Sequence, residues 1–369
     1  GITEDLITAL SRIRRFRVVA RGSTFSYKGH SFDVRHVARE MDARYVIEGS
    51  VRKSGNRIRL TVQLIDGGSG KHVWAERYDR EVDDIFALQD ELTIAIVGAV
   101  EPAMGRSEQD RVTRKPPESL DAWEAYQQGT SFLHKRTAED LAAARDLFQR
   151  AISIDPGFAL AHAGKARTYL FSALLGTTED DGEEAEKAAL EAVELDPDEA
   201  ETHLALGSVY YANRETERAI SELEAAIDLN PSYAQAHHLL GASFAHTGRA
   251  KEALPHLLAA IRLSPKDAEI APFHARVAMA HLYLRQHEEA VDWAKKAVRM
   301  PGILWPAHCF LTASLAHLER MDEARQALER LLEFRPGIAI RFVRDHLPTV
   351  HRGSMEHLLD GLRKAGLPE

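Results

Sequence analysis

The chain has 369 residues, 44% of them hydrophobic and 28% charged, so it has the material for two domains or one long repeat array and lacks the composition of a disordered or fibrous protein. No apolar run reaches the roughly 18 residues of a membrane helix, and no basic-then-apolar leader opens the chain. A lone cysteine, Cys309, excludes an internal disulfide and a multi-thiolate zinc site without fixing a compartment. The net charge is −9, and it is unevenly placed: residues 1–105 hold 16 basic and 15 acidic groups, the remainder 31 and 41. The acidic second part is a poor nucleic-acid partner. A chain that opens at Gly1 rather than Met is expected to be a fragment of a longer protein.

Thr3, Glu4 and Asp5 supply an N-cap and first-turn acids for a helix whose apolar face is Leu6, Ile7, Leu10 and Ile13. Phe16–Ala20 reads as a short strand, and glycine-containing turns lead to a second helix capped by Asp33, with Val34, Val37, Ala38 and Met41 inward. From Tyr45 the period becomes two, through Tyr45, Ile47, Gly49 and Val51, then Ile58, Leu60, Val62 and Leu64, then Val73 and Ala75. Turns at Ser54-Gly55-Asn56 and Gly67–Gly70 make this a three-stranded antiparallel meander. A longer helix follows Asp83-Asp84, with Ile85, Leu88, Leu92, Ile96 and Val100 inward, and the order αβαβββα predicts an α+β layer. Gly67–Lys71 is not a phosphate loop, because Ile65 stands where the first Walker glycine belongs and His72 where the hydroxyl residue belongs. The arginines at 12, 14, 15, 17 and 21 form the one basic run and read as a solvated surface.

The segments GITEDLITALSRI, YVIEGSVRKSGNRIRLTVQLID and KHVWAERYDREVDDIFALQDEL, in that order, resemble the TolB amino-terminal-like domain of bacterial signalling proteins. The resemblance covers residues 1–105. It implies a place between an N-terminal effector, a class III adenylate cyclase or a winged-helix regulator of the CadC type, and a tetratricopeptide array, often with one membrane helix after the effector. It also implies a β-strand just upstream of GITEDL that this sequence lacks.

Pro116-Pro117 breaks the chain, so residues 106–117 read as a linker. Beyond it Pro156, Pro197, Pro231 and Pro265 are 41, 34 and 34 residues apart, and Pro336 lies 71 further on, which is the tetratricopeptide period. His203, Leu206, Gly207, Tyr210, Ala219, Leu223 and Ala226 match the repeat's signature, and His237, Leu240, Gly241, Phe244, Ala253, Leu257 and Ala260 match it in the same register. With looser copies on either side, six repeats are expected over 118–336, with capping helices at 337–369 built on Met355, Leu358, Leu359 and Leu362. The fold class is therefore a small α+β domain followed by an all-α tetratricopeptide solenoid, a right-handed superhelix of helix pairs with a concave groove.

Of 18 histidines, 15 lie from His134 onward, and His162, His203, His237, His274 and His308 share the repeat's fourth position. Helices about 8–10 Å apart cannot bring equivalent side chains onto one ion, so this row reads as packing residues standing in for an aromatic, with a pH-sensitive array as the second reading. His287-Glu288 opens a zinc-protease pattern that Val291 fails to complete. Cys309 on a repeat helix reads as packing. No catalytic, cofactor-binding or metal-binding residue is assigned, and the chain is read as non-enzymatic. Positions 2, 5, 9, 12 and 13 of each first helix face inward, giving as groove residues Trp123, Tyr126, Thr130, His134, Arg167, Phe171, Glu201, Tyr211, Gln235, His238, His246, Tyr283 and His317. The set is aromatic and mixed-polar, without the Lys/Asn set that clamps a terminal carboxylate, and suits a peptide or protein partner. The expected function is a non-catalytic interaction or sensor-regulatory module. The alternative is the regulatory region of an adenylate cyclase or a winged-helix transcriptional regulator whose effector lies outside this chain. No nucleic acid is expected to bind, and the compartment, cytoplasmic or periplasmic, depends on whether a membrane helix lies upstream.

Overall fold

A computed structural model describes residues 2–13, 16, 18–19, 27, 33–81, 85–112, 121–135, 137–175, 181–264, 270–300 and 305–369. The chain divides into two compact units, Gly1–Thr168 with Leu229–Ser232, and Tyr169–Asp228 with Tyr233–Glu369. Of the strand expected at 16–20, Phe16, Val18 and Val19 are described and carry no regular structure, while residues 17 and 20, the Asp83-Asp84 cap and Pro116-Pro117 lie outside the described residues.

In the first unit, helices α1 (Ile2–Arg12) and α2 (Val34–Glu40) precede an antiparallel sheet of β1 (Tyr45–Ser54), β2 (Arg57–Asp66) and β3 (His72–Glu81) in the order β1-β2-β3. Asp33 caps α2 by accepting from the backbone N–H of Arg35. The period of two in β2 buries Ile58, Leu60, Val62 and Leu64, and these meet Leu10 and Ile13 with Leu88, Leu92, Ile96 and Val100 of α3 (Ile85–Val112) in one core. Gly67–Lys71 is a hairpin turn, closed by Asp66 N–H to the Lys71 carbonyl (2.9 Å), with Asp66 Oδ1 accepting from Ser69 N–H and Oγ (each 2.7 Å). Helix α3 runs on to Val112, through much of the stretch expected to be linker. The reason is Glu108, buried near its end, which accepts from Tyr45 Oη (2.7 Å) and pairs with Arg44 Nε (2.5 Å), so the sheet holds this last stretch of helix in place.

Six successive helix pairs follow among the described residues. They are α4 (Ala122–Leu133) with α5 (Ala138–Ile154), α6 (Ala159–Leu175) with α7 (Asp181–Leu195), α8 (Ala200–Ala212) with α9 (Thr216–Leu229), α10 (Ala234–His246) with α11 (Ala250–Leu263), α12 (Ile270–Tyr283) with α13 (His287–Val298), and α14 (Trp305–His317) with α15 (Met321–Phe334). Two further helices, α16 (Ile340–His346) and α17 (Arg352–Ala365), end the chain. The signature glycines are the points of closest approach. A Cβ at Gly207 would lie 2.9 Å from Leu223 Cγ, and one at Gly241 would lie 2.6 Å from Leu257 Cγ and 3.0 Å from the Ala253 carbonyl oxygen. In the first unit Phe148 fills the same role against Gly129 and Gly164, at 2.9 and 2.6 Å. The alanines of the signature, among them Ala219, Ala226, Ala253 and Ala260, are fully buried.

The turn inside a pair places one residue in the left-handed region: Arg214 (φ 63°), Gly248 (87°), Arg285 (60°) and Glu319 (59°) follow α8, α10, α12 and α14 in turn. Only one of the four is glycine, although an L side chain pays about 1–2 kcal/mol there. Two substitutions should therefore act in opposite directions in urea unfolding followed by circular dichroism. Gly241→Ala should cost about 1–3 kcal/mol by forcing Leu257 and the backbone apart, while Glu319→Gly should gain up to about 1 kcal/mol.

Candidate functional site

The C-terminal ends of the first helices of successive pairs carry Tyr211 on α8, His246 on α10 and Tyr283 on α12, one near the end and two at the last position of their helices. His246 and Tyr283, the last residues of α10 and α12, meet a later stretch of the chain, and Tyr211 meets His246. After α16 the chain runs without regular structure from Leu347 to His351, and this segment crosses those helix ends. The His246 carbonyl accepts from the N–H groups of both Val350 (3.1 Å) and His351 (3.0 Å). His246 Nδ1 lies 2.7 Å from Thr349 Oγ1, and Tyr283 Oη lies 2.8 Å from the same oxygen. On its other side His246 Nε2 meets Tyr211 Oη at 3.0 Å and Arg276 Nη1 at 3.3 Å. The Arg214 guanidinium donates to the Asp345 carbonyl.

This arrangement fixes the tautomer of His246. A guanidinium can only donate, so Nε2 carries the electron pair and Nδ1–H donates to Thr349. His246 is 1% exposed, and burial, reinforced by Arg276 and Arg214, holds its pKa well below the ordinary imidazole value. Burial also raises the phenols of Tyr211 and Tyr283. The site is thus neutral apart from Arg276 and Arg214, and Thr349, 8% exposed, is held by side chains from two helices.

Helix α17 then lies along α14, and the contact is again a missing side chain: a Cβ at Gly361 would fall 2.8 Å from both the Cβ and the carbonyl oxygen of Ala313. It also reaches α12 and α15. Leu358, Leu359 and Leu362 are fully buried and Met355 nearly so, on the face expected from the sequence.

The remaining inward-facing candidates divide between the two units. In the first, Trp123, Tyr126 and Phe158 form an aromatic cluster with centroids 5.4–6.2 Å apart, and Tyr126 also packs on Phe148. Thr130 Oγ1 returns to the Tyr126 carbonyl of its own helix (2.9 Å), His134 ends α4 exposed, and Arg167 is half-buried. In the second, Phe171 and Gln235 are half-buried, Glu201 accepts from Tyr233 Oη (2.8 Å), and His238 packs its ring on Phe273 at 4.4 Å. His317 joins His287 and His357 instead of the Thr349 network. Sequence reasoning missed Arg276, Arg214 and Thr349: the arginines carry no repeat signature, and Thr349 lies beyond the last repeat, where the register no longer says what it faces.

The histidines of the fourth repeat position each serve their own hairpin. His162 Nε2 meets the Pro156 carbonyl (3.2 Å) and His203 Nε2 the Pro197 carbonyl (2.8 Å), while His203 Nδ1 pairs with Glu222 (2.7 Å), which raises its pKa. His237 stacks on His256, His274 meets Trp293 edge-on and His308 lies tilted against Phe334. Cys309 is fully buried, and burial raises its thiol pKa, so no thiolate is available.

Comparisons with known proteins agree with this organisation. The family model described as tetratricopeptide repeat matches residues 178–222 and 204–268, and the one described as the second domain of HilA/YgeH-like transcriptional regulators matches residues 1–94. The protein titled "Putative adenylate cyclase 3" of Rhizobium meliloti (strain 1021) is 41% identical over 209 residues, 56% of this chain. That match spans 36% of the relative, about a third of its length. Among solved structures, the APC/C hetero-tetramer Cut9-Hcn1 aligns with a TM-score of 0.55 and 18% identity over 75% of this chain and 48% of that one. PilF of Pseudomonas aeruginosa aligns at 0.47 and 17% identity, over 64% and 97%. The fold class is a small three-stranded α+β region followed by tetratricopeptide-type helix pairs, a class built for protein–protein interaction. Among the described residues no helix is long and apolar enough to cross a membrane.

The buried, neutral His246 makes a pH dependence of defined sign. Its folded pKa lies below the unfolded value near 6.5, so its contribution is complete above that value and is lost as pH falls through it. The free energy of unfolding in urea should drop between pH 7.5 and 5.5, and in His246→Gln, which keeps a donor and an acceptor but cannot titrate, the drop should be smaller by about 1 kcal/mol.

Proposed function

We propose that this chain is a non-catalytic regulatory module whose repeats bind an extended peptide or protein segment across the helix ends that carry Tyr211, His246 and Tyr283. The observation that carries the reading is that an extended segment already lies there: the backbone of Val350 and His351 is held by one carbonyl, and one hydroxyl side chain is held by two helices. Backbone recognition gives affinity to any extended strand, and the Thr349 position gives selection for a hydroxyl. A partner segment would take the place that Leu347–His351 occupies in cis.

The 41% identity to a protein titled an adenylate cyclase supports attaching this module to a cyclase as its C-terminal regulatory region, with the TolB-like motifs of residues 1–105 between effector and repeats. The match of residues 1–94 to a transcriptional-regulator domain supports the second reading, a winged-helix regulator. The coding sequence upstream of Gly1 decides between them. A cyclase domain there sets the readout to cyclic AMP, and a winged helix sets it to promoter activity.

Groove binding itself is tested with a fluorescein-labelled peptide of residues 344–352 added in trans. Thr349→Ala, which loosens the internal segment, should bind it by fluorescence anisotropy while the unaltered chain does not. Adding Tyr283→Phe should then weaken binding roughly three- to tenfold, the worth of one hydrogen bond. If Thr349→Ala gains no affinity, or if Tyr283→Phe leaves that affinity unchanged, these helix ends are not the binding surface.

A further inference from the structure

Three histidines outside the repeat's fourth position converge from three helices. His287 opens α13, His317 closes α14, and His357 lies in α17, 70 residues from His287. Nε2 of His287 and Nε2 of His357 are 3.0 Å apart, and one ring nitrogen of each of the three lies within 4.8 Å of one from each of the others. The rings are stacked, with centroids 4.0 Å apart for His317 and His357 and 4.9 Å for His287 and His317.

Imidazole nitrogens bind ions of the zinc class at about 2.0–2.1 Å, which sets two of them about 3.3 Å apart on a tetrahedral centre. The 3.0 Å separation is close to that. Now it is a hydrogen bond, in which one ring donates Nε2–H to the other; an ion would replace that proton, which moves to the ring's remaining nitrogen and leaves each ligand neutral. His317 Nε2 donates to the His357 carbonyl at 2.9 Å, an outer contact of the kind that orients a ligating imidazole and leaves the electron pair on Nδ1. Stacked rings hold their electron pairs side by side, so loading requires the half-buried side chains to turn about their terminal torsions, which are soft. The surrounding charges are mixed. Lys364 is paired with Asp360 (2.9 Å), a carboxylate one turn along from His357, while the Arg285 guanidinium opposes a cation.

We infer that His287, His317 and His357 bind one divalent transition-metal ion of the zinc class, with the fourth position taken by water. No repeat-equivalent pair supplies this set, which is why a comparison of equivalent positions assigned no metal ligand. The bound ion ties α17 to the helix ends of the last two pairs, and so secures the helix that follows the Leu347–His351 segment.

The test uses the full chain without a histidine tag. Cobalt(II) should bind at one equivalent with the visible absorption of a tetrahedral centre, zinc should displace it, and zinc should raise the thermal midpoint. His287→Gln and His357→Gln should each weaken binding roughly a hundredfold, whereas His237→Gln, at a fourth repeat position, should not. Far-UV circular dichroism of each variant establishes that it is folded. Absence of cobalt binding by the unaltered chain at about 100 µM metal, or binding that survives unchanged in folded His357→Gln, overturns the site.

Discussion

Absent side chains decide where the helices of this protein can touch. Gly207 and Gly241 admit Leu223 and Leu257 to within van der Waals contact of a helix backbone, and Gly361 admits Ala313 in the same way. The first two contacts set the spacing within a helix pair, and through it the line along which Tyr211, His246 and Tyr283 end their helices. The third brings α17 onto α14 and carries the preceding segment over those ends. Hydrophobic burial supplies the stabilisation, but it is indifferent to register. Register is set where a larger residue would not fit.

The polar site depends on that geometry and returns something to it. Thr349 belongs to a segment without regular structure, in which the N–H groups of Val350 and His351 take no partner from a helix or strand ladder of their own. Two of its N–H groups are answered by the His246 carbonyl, which ends its helix and has no partner further along it. The segment and the helix end thus satisfy each other, and the side-chain bonds through His246 and Tyr283 are added to a backbone pairing that any sequence could make. Specificity therefore rests on one hydroxyl and the neutral imidazole that donates to it.

Periodicity made the architecture readable. A spacing of 34 residues between prolines, with glycine and alanine at fixed offsets, located the helix pairs, and a period of two located the meander with its turns. Residues 106–117 read as a linker because Pro116-Pro117 breaks the chain, yet helix α3 continues to Val112 because Glu108 finds Tyr45 and Arg44, partners 63 residues or more away that no local pattern announces. The site was half readable for the same reason. Tyr211, His246, Tyr283 and His317 follow from the repeat register. Arg276, Thr349, His287 and His357 do not, because their meeting depends on the chain turning back after the last pair. A repeat register says which way a residue faces and nothing about what returns to meet it.

That return has a quantitative consequence for any partner. A segment tethered a few residues from its site is present at an effective concentration in the millimolar range, so a free peptide of equal intrinsic affinity at about 1 µM is excluded roughly a thousandfold. On the function proposed above, a productive partner must then either bind more tightly than Leu347–His351 or act when the internal segment has been loosened. Protonating His246 loosens it, since the charged ring cannot accept at Nε2 from Arg276 and is buried beside that cation. Holding α17 at its histidine cluster does the reverse. Both bear on the C-terminal side of one short stretch of chain, so on the proposed reading the surface changes from occupied to open without movement of the repeats beneath.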